Sequence, residues 1–99
     1  MTQLEKIKLS ELLIELQNMY SDKNMHSFAA KWFPFVNNLN KEDASIANQA
    51  YFNIISDNIQ SLGDIALAAT SKEDKQFWKE AFSELLNNSA FPKRHTLLP

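Results

Sequence analysis

With a single glycine, Gly63, in 99 residues, the chain has almost no backbone suited to the positive φ angles that hairpin turns and bulges repeatedly require. A β architecture of this length would need several such positions. Helix interiors need none, so the chain reads as all-α. The hydrophobic pattern divides it into a small antiparallel bundle of about four helices over residues 1–88 and an extended C-terminal tail over residues 89–99, with no internal repeat or low-complexity tract.

The first helix, about residues 2–20, opens with Thr2 and Glu5 at capping-box spacing, and Ser10 offers a second start with Leu9 and Ile14 as a hydrophobic staple. At about 100° per residue, Leu9, Leu12, Leu16, Met19 and Tyr20 share one face. Ile7 and Ile14 lie a heptad apart on nearly the opposite side. This helix is therefore either buried on two sides or presents a second apolar stripe to something else.

A second helix, about 23–38 after caps at Ser21 and Asp22, gathers Met25, Phe28, Ala29, Trp32, Phe35, Val36 and Leu39 on one side. Pro34 falls on its outer face, where it bends the axis; the alternative is a break at Phe33 and a short helix beginning at Pro34. The third opens at Asn40 and runs to about residue 62 with Ala47, Tyr51, Ile54, Ile55, Asn58 and Leu62 on its face. Gly63 either ends it or sits inside a helix reaching Ala69. The fourth, about 72–88, follows Ser71, which stands three residues before Asp74, and turns Phe77, Trp78, Ala81, Phe82 and Leu85 inward. Pro92 and Pro99 mark the tail, which has no helical periodicity.

Composition removes several function classes. Without cysteine there is no disulfide scaffold, no Cys-based zinc site and no thiol nucleophile. Ten basic and twelve acidic residues give a net charge of -2, spread evenly over both halves, so no basic lobe is set aside for nucleic acid. Lys93, Arg94 and His95 form the one basic cluster, too small for a nucleic-acid footprint. The charged N-terminal stretch lacks the apolar core of a secretory signal, and no apolar run approaches the roughly 20 residues that span a bilayer. The expected setting is the cytoplasm, with no membrane partner.

A search for catalytic sets is nearly empty. His26 has one carboxylate at four-residue spacing, Asp22, and His95 has none, so neither belongs to a fuller set of metal ligands, and both read as solvated surface residues. Glu42-Asp43 and Glu73-Asp74 resemble dyads, but each sits in the first turn of a helix, where negative charge offsets the partial positive charge of the amides. One glycine rules out a Gly-rich phosphate loop. No cofactor or metal is expected.

By elimination, the sequence points to a non-catalytic protein-binding domain, as in adaptors, regulatory subunits, chaperones or immunity and antitoxin proteins, with a homodimer as one form of the partnership. The expected partner-binding residues are Ile7 and Ile14 on the minor stripe, Phe33 and Phe52 at the margins of their helix faces, and Leu97 and Leu98 in the tail. The alternative is a ligand-binding bundle, with an aromatic and amide pocket formed by Asn58, Trp32 and Trp78, in which Asn58 supplies a polar group on an apolar face.

Overall fold

The computed structural model describes residues 1–19, 22–56, 58 and 61–87. Those residues form a small all-α bundle of five helices with no strand: α1 (Gln3–Gln17), α2 (Asp22–Val36), α3 (Lys41–Ile55), the short α4 (Leu62–Ala66) and α5 (Lys72–Asn87). Side-chain caps start three of them. Thr2 Oγ1 accepts from the Glu5 N–H at 3.1 Å while Glu5 Oε1 accepts from the Thr2 N–H at 2.7 Å, completing the capping box of α1. Asn40 Oδ1 accepts from the Asp43 N–H at 2.8 Å, and Ser71 Oγ from the Asp74 N–H at 3.3 Å.

Pro34 lies within α2 and is exposed, so the helix passes through it to Val36 rather than breaking at Phe33. The third helix is shorter than its apolar stripe. Ser56 Oγ donates to the Phe52 carbonyl at 2.7 Å and the Asn58 N–H donates to the Asn53 carbonyl at 2.8 Å, which closes α3 at Ile55. Asn58 is therefore exposed beyond the helix end instead of lying on its apolar face, and Gly63 neither caps α3 nor extends it but sits inside α4.

Contacts along the helices fix their directions. Phe35 of α2 lies beside Leu4 and Lys8 of α1 while Ser27 lies beside Asn18 and Met19, and Trp32 and Phe28 of α2 reach Asn48 and Tyr51 of α3 respectively, so these successive helices are antiparallel. After α3 the chain crosses back through α4. As a result, α5 starts where α1 starts: the Met1 amino group is 3.4 Å from Asp74, while at the other end Gln17 Nε2 donates to the Leu85 carbonyl at 2.7 Å. α1 and α5 are parallel neighbours.

Trp32, Trp78, Phe82 and Leu16, each central in the stripe of its own helix, are all buried in one contiguous core. Phe28, Trp32 and Tyr51 stack with ring centroids 5.6 to 6.2 Å apart, joining α2 to α3. Tyr20, Ser21 and the tail, with Phe91, His95, Leu97 and Leu98, lie outside the described residues. Emptying the Trp78 site by Trp78→Ala should cost about 3 to 5 kcal/mol in urea denaturation, a large share of a small domain's stability. A loss under about 1 kcal/mol would contradict this packing.

Candidate functional site

Two features stand out from the packing. The first is polar and buried. Asp43, in the first turn of α3, has no accessible surface; its Oδ1 accepts from Trp78 Nε1 at 3.0 Å and its Oδ2 from Asn40 Nδ2 at 2.7 Å. Asp74, in the first turn of α5, is also buried, with the Met1 amino group 3.4 Å from Asp74 Oδ1 and 4.0 Å from Asp43 Oδ2. Burial, then the neighbouring Asp74 carboxyl, pushes Asp43 above its ordinary value of 3.8, and the indole and amide donors pull it partly back. The acidic pairs do occupy first turns, as the sequence suggests, but the burial of Asp43 and Asp74 was not legible there.

Both Asp43 oxygens are engaged inside the core by donors from α5 and the α3 cap, and no group of three metal-ligating side chains occurs among the described residues. His26 is exposed on α2.

The second feature is a groove of about 780 Å³ between α1 and α5. Ile7 and Ile14 from α1 and Phe77 from α5 supply its apolar surface; Ile7 is 49% exposed, and Ile14 and Phe77 are half-buried against the core. Its rim carries charge of both signs. Lys6 and the neighbours Lys72 and Glu73 stand in the first turns of the two helices, Glu11 and Glu80 at their middles, and Glu84 in the last turn of α5. On the other flank of Ile7, a shallower groove of about 460 Å³ runs between Leu4, Lys8 and Phe35 of α2. Leu4, Ile7 and Ile14 thus form a line along the outer side of α1, at i, i+3 and i+10.

Phe33 and Phe52 lie on a different face. Both are exposed, and each packs edge-on against Tyr51, at 5.5 and 5.4 Å. The structure therefore brings together Ile7 with Ile14, and Phe33 with Phe52, but not the two pairs with each other. Leu97 and Leu98 lie outside the described residues. The trio Asn58, Trp32 and Trp78 does not converge on a cavity: Asn58 is exposed, both indoles are fully buried, and their N–H groups are used by Asn48 and Asp43. Gln17 was also not singled out by sequence; it is buried, and its amide caps a carbonyl at the end of α5.

No helix among the described residues is long and apolar enough to cross a membrane. Comparison of the chain with known protein families, curated proteins and solved structures gives no match.

The raised Asp43 value fixes a sign. The folded state holds this proton more tightly than the unfolded chain does, so the contribution of Asp43 to stability is fully present below about pH 3.8 and is lost as pH rises through the raised value. Asp43→Asn keeps an acceptor for Trp78 but cannot titrate. Urea midpoints measured from pH 4 to 7 should decline for the native protein relative to the variant. Parallel profiles would show that Asp43 titrates as an ordinary carboxylate.

Proposed function

We propose that the chain is a cytoplasmic, non-catalytic protein-binding domain whose working surface is the outer side of α1 and its groove with α5. One observation carries this reading: a groove of about 780 Å³ is lined by Ile7 and Ile14, apolar residues that the core does not use fully, on a helix whose opposite side is already buried through Leu9, Leu12, Leu13 and Leu16. A helix needs one apolar face to join its bundle. A second face along the same helix adds nothing to folding that solvated side chains would not, and apolar anchors at helical spacing beside a groove are how one helix receives another. Charged side chains of both signs at its rim, among them Lys6, Glu11 and Glu84, are the polar border such an apolar strip has at interfaces.

The groove runs along the outside of two helices, a shape that suits an elongated partner better than a small molecule, which favours an enclosed pocket with a few convergent polar groups. Ile7→Glu should leave helicity unchanged, because the side chain is half outside already, yet weaken partner binding at least tenfold. A photoreactive side chain at position 7 in the native host should give a discrete protein adduct, while the same group at exposed Ala68, near the end of α4, should not. Adducts at neither position, or equally at both, would discard this surface.

A further inference from the structure

We infer that in the free protein the α1–α5 groove is occupied by the chain's own C-terminal segment, residues 88–99, laid back along it, and that a partner has to displace that segment. The docking stands on its own observations; only the displacement rests on the binding reading above. The chemistry of the two surfaces comes first. Ile7, Ile14 and Phe77 make the floor of the groove, and its rim holds Glu11, Glu73, Glu80 and Glu84 against Lys6 and Lys72, a surplus of carboxylates. Glu11, Glu80 and Glu84 have no cationic partner among the described residues. The segment after α5 has the matching composition. Phe91, Leu97 and Leu98 are apolar, Lys93 and Arg94 lie between them, and there is no Asp or Glu in residues 88–99. This basic cluster, too small for nucleic acid, is the right size for a few carboxylates.

Connectivity delivers the segment to the groove. Helix α5 ends at Asn87, within a turn of Glu84 and at the end of the bundle where Gln17 meets Leu85. From Glu84 back to Lys72 the groove is about 18 Å long along the helix. Asn88, Ser89 and Ala90 suffice for the reversal, Asn and Ser being turn formers. The residues from Phe91 onward then span up to about 30 Å when extended, the form that Pro92 favours for itself and for Phe91. An extended chain advances about 3.3 Å per residue and a helix 1.5 Å, so Phe91 comes level with Ile14, Lys93 and Arg94 with Glu80 and Glu11, and Leu97 with the end that holds Ile7 and Lys72. Apolar groups thus meet the floor and cations meet the carboxylates. Tethering by a short turn supplies an effective concentration on the order of mM, so contacts too few to hold a separate peptide are enough here.

Disulfide trapping in the full, otherwise cysteine-free chain tests this. At low protein concentration an Ile7→Cys, Leu97→Cys variant should oxidise within the chain about tenfold or more faster than a Phe52→Cys, Leu97→Cys variant. Phe52 is a fair control: it is exposed, and α3 runs toward the end of the bundle where α5 finishes, so an undocked segment reaches it at least as easily. If circular dichroism shows the Ile7→Cys chain unfolded, Gln76→Cys, exposed in the same groove, takes its place. Adding Lys93→Glu and Arg94→Glu should slow the groove disulfide about tenfold, and adding Glu80→Lys and Glu84→Lys to those should restore it. Equal rates at the groove and at Phe52, disulfides formed only between chains, or a rate that charge reversal does not move overturn the docking. In the native host, Lys93→Glu with Arg94→Glu should raise the yield of the protein adduct from a photoreactive group at position 7. Trapping without that gain leaves the segment docked and overturns the displacement, and with no adduct in either chain the binding reading fails as well. An adduct without trapping leaves the binding reading standing and this inference refuted.

Discussion

The hydrogen bond from Trp78 to Asp43, 3.0 Å long and closed to solvent, sets where α5 begins. A carboxylate without accessible surface is costly unless its oxygens are matched by donors, and here the donors come from α5 through the indole and from the α3 cap through Asn40. Both Asp43 and Asp74 also occupy first turns, where unpaired backbone amides favour negative charge. The cluster is thus a meeting point for helix N-termini, and it holds only if α5 starts at the end of the bundle where α3 starts. That requirement explains the crossover through α4. A tight turn after Ile55 would have sent the last helix in the opposite direction and left Asp43 without the indole.

Parallel α1 and α5 follow from the same constraint, and the outer surface inherits its character from them. Antiparallel neighbours cancel each other's end charges; parallel neighbours add them. At the Gln17 and Leu85 end the bundle answers with a neutral group, the Gln17 amide, which satisfies one carbonyl but brings no positive charge. Glu84, in the last turn of α5, adds to the imbalance on the groove side. Helix-end electrostatics alone would favour a basic residue there.

How much of this could be read from the chain follows from what periodicity encodes. Repeats of three and four residues reveal which side of a helix is apolar, so the buried stripe through Leu9, Trp32 and Trp78 was legible, and so was the misfit of Ile7 and Ile14. Periodicity says nothing about direction: the return of α5 to the start of α1 depends on a contact 35 residues apart in sequence, between Asp43 and Trp78. Asn58 shows the opposite failure. Its angle fits the α3 stripe, but the Ser56 hydroxyl competes for the Phe52 carbonyl and the helix has ended before the pattern does. Asp43 was hidden because helix-end electrostatics accounts for an acidic pair equally well whether it is exposed or buried; the signal that separates the cases is a nearby tryptophan whose N–H needs an acceptor.

Exposed apolar residues do not all carry the same meaning, and the two aromatic positions show why. Phe52 is 58% exposed, more than Ile7, but its ring and that of Phe33 both lean edge-on against Tyr51, so each already has a partner within the chain. Single aromatics that extend a buried stack are common at the surfaces of small domains, where there is too little polar surface to cover every core residue. Leu4, Ile7 and Ile14 differ because they are collinear, border grooves on both flanks and belong to a helix whose other side is fully committed to the core. What sets the α1 line apart is therefore continuity along one element, rather than the exposed fraction of any one side chain.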